Sequence, residues 1–520
     1  MSNKKVLVIG IDGACWNVID QLIEKGIMPN LKSIKENGVW GNLESSIPPV
    51  TFPAWRCYST GLDPSQLKVY WWMNVNVKTK KFRINNSYSF KGKDLWNIIG
   101  EYGKKSIVIN IPGTYPAKKI NGILISGPIS PEFEKAVYPT EIVSYLKSKG
   151  YKNFPESKWS IEKERVLDEV RKIHKIQSEI ALHFLKNEDW DFFHFTFFLT
   201  DPIMHYFWKY WDITHPLYSE NPFKSKMEEI WREVDSYIGK FIELLGEDSI
   251  LIIMSDHGLT KLKSKIYLNR YLEEKGYLSI KTRYKIIRKV LSALPIPFIG
   301  NILSKVGILD FVYNILKKLG IKSIANTGVE SQIDYNSIKW EDTIAFCLSD
   351  IYGLIYTTFS DQRIKKLIGD LKSLIDPVTG EFIFKEIFNP ENVYEHIDDE
   401  TPKLIAIPYD GYHFSPSLAG TKIFDYSYEP WSATHSQYGI FLAFGKDIRK
   451  NKNIECRIYD LAPTILHILD VPIPNCMKGK VLKEIFKESS DMYNKEIKYM
   501  NVEKKYILTK IKKLKSMEKL

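Results

Sequence analysis

Short, unbroken apolar runs that each stop at an acidic or polar residue constrain this chain more than any other feature. Residues 6–11 form the first, and Asp12-Gly13 follows directly. A strand that is apolar at every position must be covered on both faces, which is the condition of a parallel sheet lying between helices. Residues 106–110, 191–199 and 249–254 repeat the pattern, and 439–444 add a late strand. Helical spacing separates them. Val18, Ile19, Leu22 and Ile23 are stopped by Gly26 and Pro29, and Val166, Val170, Ile173, Gln177, Ile180 and Phe184 predict an amphipathic helix over 163–186. Strands alternating with such helices predict an α/β fold with a mainly parallel central sheet and helices on both faces. Open sheets of this kind gather ligands at the C-terminal ends of their strands.

Three strand ends carry carboxylates: Asp12, Asp201 and Asp256. Two bring a histidine along. Asp201 and His205 stand at i and i+4, so a helix opened by Pro202 puts them on one face. Asp256 and His257 are adjacent, with Gly258 letting the backbone turn away, and His435 arrives from far along the chain. Carboxylates mixed with imidazoles suit zinc or similar divalent ions, and these six groups exceed one tetrahedral site. They suit two ions about 3.5–4 Å apart, the arrangement that holds attacking and leaving oxygens during displacement at phosphorus. Thr51, in Ile47-Pro-Pro-Val-Thr-Phe-Pro-Ala-Trp55, sits just ahead of a segment able to run as a helix. A hydroxyl held at a helix N-terminus faces unpaired N–H groups and partial positive charge. Thr51 is therefore the candidate nucleophile, since a threonine hydroxyl needs a metal or base to activate it.

Taken together, these blocks resemble the type I phosphodiesterase/nucleotide pyrophosphatase family of the alkaline phosphatase superfamily. The resemblance runs over most of 4–270 and 400–485. Its motifs are Val-Ile-Gly-Ile-Asp12-Gly, Pro-Pro-Val-Thr51-Phe-Pro-Ala-Trp, Thr60-Gly-Leu-Asp-Pro64, Asn110-Ile-Pro-Gly-Thr-Tyr-Pro, Thr200-Asp-Pro-Ile-Met-His205, Met254-Ser-Asp-His-Gly258, Thr434-His435 and Asp460-Leu-Ala-Pro-Thr464. It implies an alkaline phosphatase-like fold and a metal-dependent phosphoric ester hydrolase. Asp201, His205 and His435 would hold one ion, and Asp12, Thr51, Asp256 and His257 the other. The ions would be Zn2+, with Mn2+ as the alternative, and Thr51 would pass through a phospho-threonine intermediate. The chain departs from the family after Pro64, where Leu67-Lys68-Val69 replaces a His-Gly-Ile step. Nucleotide-cleaving members place a phosphoryl-binding Asn about twenty residues beyond the nucleophile, and Asn74 is the stand-in here. Trp55 and Tyr115 are the candidate walls of the substrate pocket. The alternatives are a phosphomonoesterase or phosphomutase of the same superfamily, or a membrane-surface binding protein that keeps the fold.

The catalytic core is expected over 1–270 and 335–486, with a helical cap insertion at 271–334 and a basic tail at 487–520. Asp460 is expected to cap the helix that follows it. With a formal charge of +11, the 520-residue chain favours anionic partners: a phosphorylated small molecule, such as a nucleotide or lipid-linked phosphate, and no nucleic acid polymer. The basic stretches 281–325 and 495–520 are candidates for peripheral membrane contact. Five cysteines without a CxxC pair, and no signal peptide or spanning segment, point to the cytoplasm or its membrane face.

Overall fold

The computed structural model describes residues 4–293, 337–357, 361–418 and 421–501. Among them the chain forms two compact units: 1–74, 82–260 and 435–520 in one, 75–81 and 261–434 in the other. Residues 261–270 and 335–434, which the sequence division counts with the core, fall with the second unit, and His435 falls with the first. The expected cap at 271–334 and tail at 487–520 lie largely outside the described residues. No described helix is long and apolar enough to cross a membrane.

The first unit is built on a nine-stranded sheet. Its strands in chain order are β1 (Lys5–Ile11), β2 (Val39–Glu44), β3 (Ser106–Ile111), β4 (Gly122–Ser126), β5 (Val137–Tyr138), β6 (Phe192–Phe197), β7 (Ser249–Met254), β8 (Tyr438–Phe444) and β9 (Lys452–Arg457). In space they run β9-β2-β8-β7-β1-β6-β3-β4-β5. The middle of the sheet, from β7 through β1, β6 and β3 to β4, is parallel. These are the unbroken apolar runs, and β3, β6 and β7 are buried at every position. β8 runs antiparallel to both neighbours, β7 and β2. The sheet is mainly parallel, as the sequence predicts.

Helices cover it. α1 (Trp16–Glu24) and α2 (Pro29–Asn37) follow β1, and α3 (Thr51–Thr60) follows β2. α4 (Lys163–Asn187) precedes β6, α5 (Thr200–Trp211) and α6 (Phe223–Glu243) separate β6 from β7, and α7 (Leu461–Ile468) follows β9. α4 matches the predicted 163–186 to one residue, because its buried positions, from Val166 through Leu185, keep helical spacing. α3 begins at Thr51 itself, after the extended Val50, and stops at Gly61, whose φ of 67° is left-handed. All ten of its residues are buried. Asp460 stands at the N-cap position of α7, as expected, but its side chain makes no cap bond to the helix. Its carboxylate turns back to accept from the Arg457 and Lys480 backbone N–H groups instead.

The second unit carries a four-stranded antiparallel sheet of Ala345–Cys347, Gly353–Thr357, Leu404–Pro408 and Phe384–Phe388. A three-stranded sheet joins Tyr412–Ser415, Ser264–Tyr267 and Phe424–Asp425.

Candidate active site

Seven sequence-selected residues, Asp12, Thr51, Asp201, His205, Asp256, His257 and His435, all belong to the first unit. Asp12 leaves the C-terminal end of β1. The Thr200 hydroxyl at the start of α5 donates to the Asp12 carbonyl at 2.7 Å, tying the head of α5 beside it. One turn apart on α5, Asp201 Oδ1 and His205 Nε2 stand 3.2 Å from each other. Asp256 and His257 follow β7, and Gly13 N–H donates to Asp256 Oδ1 at 3.4 Å. His435 precedes β8, the strand that lies between β7 and β2.

The ring nitrogens of His257 and His435 are oriented by backbone carbonyls. His257 Nδ1 lies 3.1 Å from the Gly258 carbonyl and His435 Nδ1 lies 2.8 Å from the Pro49 carbonyl. A carbonyl only accepts, so each Nδ1 carries the proton and each Nε2 presents a lone pair. Those lone pairs converge. His257 Nε2 is 3.1 Å from Thr51 Oγ1, 3.2 Å from Asp256 Oδ2 and 3.7 Å from Asp12 Oδ1. His435 Nε2 is 3.0 Å from His205 Nε2 and 3.6 Å from Asp201 Oδ1. The His257 and His435 rings are stacked at 3.6 Å.

This cluster is buried. Asp12, Asp256 and His257 are fully buried, and Thr51, Asp201 and His205 nearly so. Burial, with Asp256 and Asp201 close by, holds the Asp12 carboxyl well above the usual carboxylate range. Burial and Asp201 do the same for Asp256. Burial pushes Asp201 up as well, but His205 and then His435 outweigh it, and its carboxyl falls below the usual range. Burial takes the His257 imidazole down to about 3, and burial together with His257 takes His435 well below its ordinary value. Asp12 Oδ1 and Asp256 Oδ2 are buried without a hydrogen-bond donor. Orphaned carboxylate oxygens opposed to imidazole lone pairs repel one another unless protons or cations lie among them. The residues fit divalent metals. Asp12, Asp256 and His257 offer ligand atoms within 4.8 Å of one another, as do Asp201, His257 and His435.

The three candidate substrate residues fare differently. Trp55 is fully buried, its indole N–H donating to Asp12 Oδ2 at 2.9 Å, so it lies beneath the site rather than as a wall of it. Asn74 is also buried. Its amide donates to the Lys68 carbonyl and accepts from Asn85 Nδ2 at 3.0 Å, which commits it to its own loop. Tyr115 is partly exposed in the loop after β3, with its carbonyl accepting from Ser87 N–H. Burial and hydrogen bonding of this kind have no local sequence signal. Trp72, by contrast, is partly exposed and packs 5.1 Å from Phe52, the neighbour of Thr51.

A mainly parallel sheet that gathers Asp and His side chains beside a helix-borne threonine is the arrangement of an alkaline phosphatase-like fold. The chain belongs to the type I phosphodiesterase / nucleotide pyrophosphatase family, whose model matches residues 6–422. It is accordingly a hydrolase of phosphoester bonds. Among solved structures, human ectonucleotide pyrophosphatase / phosphodiesterase 5 has the same fold at a TM-score of 0.51 and 16% identity, over 92% of this chain and 97% of that one. The murine protein gives 0.52 and 15%, over 93% and 100%. An inactive form of the murine protein in complex with AMP gives 0.52 and 15%, over 90% and 95%. No curated protein sequence matches the chain.

Proposed function

We propose that this chain is a two-metal phosphodiesterase acting on a nucleotide-type small molecule, with Thr51 as the nucleophile. The observation that carries the reading is Thr51 Oγ1, at the first residue of α3 and 3.1 Å from the unprotonated Nε2 of His257. Asp201, His205 and His435 would hold one ion, and Asp12, Asp256 and His257, with Thr51, the other. Zinc suits this mixture of imidazole and carboxylate donors, with manganese the alternative. The bound ions would supply the positive charge that ionises the threonine hydroxyl and offsets charge on the transferring phosphoryl group. The first turn of α3 directs the Thr51 and Phe52 N–H groups at that phosphoryl group, since Ala54 N–H is the first paired within the helix, to Val50, and Pro53 has none. Thr51 displaces the leaving alcohol, becomes phosphorylated, and is freed by water. The murine relative's complex with AMP supports a nucleotide as substrate. Five cysteines, none paired with another, support a cytoplasmic location, which fractionation of the producing cells would check.

One observation favours a second reading, a phosphomonoesterase. The Asn74 amide is committed to Lys68 and Asn85, leaving the nonbridging oxygen of a diester without that partner. Turnover of bis-p-nitrophenyl phosphate against p-nitrophenyl phosphate, with zinc or manganese added, separates the two. Faster diester cleavage is expected. Thr51→Ala should keep its metals while losing turnover by at least about a thousandfold, the scale of a lost nucleophile. Undiminished turnover in that variant would sink the nucleophile assignment.

A further inference from the structure

The indole of Trp55 is held too firmly and in too particular a place to be ordinary core packing. Trp55 lies one turn after Thr51 on α3, and its N–H reaches Asp12 Oδ2 at 2.9 Å. The ring lies across β1 at Gly10, where an added Cβ would sit 2.5 Å from the indole Cη2. Only glycine leaves that passage open. The indole meets Tyr58 and His194 edge-on, at 5.8 and 5.7 Å between ring centres. His194 is itself pinned, with Nδ1 2.9 Å from the Tyr58 hydroxyl and Nε2 2.8 Å from Thr196 Oγ1. The donor is therefore locked in place, and the consequence falls on Asp12. One oxygen is occupied by the indole, while the other, Oδ1, is buried without a donor and faces His257 Nε2 at 3.7 Å.

We propose that Trp55 is a positioning residue for the cation site at Asp12: its N–H occupies Oδ2 and leaves Oδ1 as the single oxygen presented to the ion. The inference rests on the two-metal reading above. Groups that orient a metal ligand in this way are worth about 10- to 100-fold in metal affinity.

The test uses the full chain stripped of metal and titrated with Zn2+ against a competing chromogenic chelator, with thermal unfolding of the metal-free proteins alongside. Wild type should take up two ions. Trp55→Phe, which keeps an aromatic ring but not the N–H, should weaken one of the two sites by about 10- to 100-fold, while its metal-free form still unfolds in a single cooperative transition. Gly10→Ala, which crowds the indole while retaining it, should weaken the same site. In an Asp12→Asn background, Trp55→Phe should change nothing further. Two sites of wild-type affinity in Trp55→Phe would overturn the positioning role and leave the two-metal reading standing. A wild type that binds no zinc would overturn both. Should Trp55→Phe not fold, unaltered affinity in folded Gly10→Ala overturns the proposal in its place.

Discussion

His257 and His435 are each aimed by a backbone carbonyl, and that makes single residues unequal. His435 has its Nδ1–H on Pro49, so removing it deletes a ligand whose direction is set in advance. His435→Ala should lower zinc content from two ions per chain to one, measured by metal analysis after gel filtration; two retained ions would argue against its assigned role. Trp72 is a partly exposed aromatic that rests on Phe52, the residue after the nucleophile. Trp72→Ala should raise KM for aromatic diesters several-fold with little change in kcat, the mark of lost ground-state binding. Asp12, Asp201, His205, Asp256 and His257 were legible because acids and histidines interrupt apolar runs where strands end, whereas Thr51 and His435 needed the family's motifs. The neighbours that orient them were not. Pro49 and Trp55 act through a carbonyl and an indole N–H whose targets lie elsewhere in the chain, and nothing in their own surroundings names those targets.

At the scale of elements, α4 carries a titration unrelated to the site. His174 is fully buried against Phe197, and neither ring nitrogen has a hydrogen-bond partner. Burial lowers it to about 3 from an ordinary 6.5. A group depressed on folding contributes its full stability above the unfolded value and loses it as pH falls toward the folded one. The contribution is therefore intact above pH 6.5, and about 2 kcal/mol is gone by pH 5. His174→Phe leaves no polar partner stranded, so it should flatten the fall in unfolding temperature between pH 7 and 5. An unchanged slope would place the acid sensitivity elsewhere, His194 being the next candidate, also lowered to about 3 by burial. Elements such as α4 and β7 were readable to within a residue because burial on one face or both imposes a period. β2 was not, since its burial alternates along Val-Trp-Gly-Asn-Leu-Glu, and β8 disclosed its presence but not its direction.

For the whole molecule, metal and fold should be linked. Ligands drawn from separate stretches of chain bind ions only in the native state, so each ion at a hundredfold excess over its Kd adds about 2.7 kcal/mol. Chelation should lower the unfolding temperature measurably, and an unmoved transition would count against resident metals. The order of strands carries one more consequence. β8 lies between β7 and β2 although some 390 residues separate it from β2 in the chain, an interval on the order given by their numbering. Two strands made early, β1 and β7, can pair while the ribosome is still at work, but β2 has no partner on either side until β8 and β9 emerge. His435, immediately upstream of β8, arrives with that closing strand. A nascent chain would thus hold an incomplete set of ligands until His435 and β8 have emerged, and hydrolytic competence would begin only once the gap in the sheet is closed.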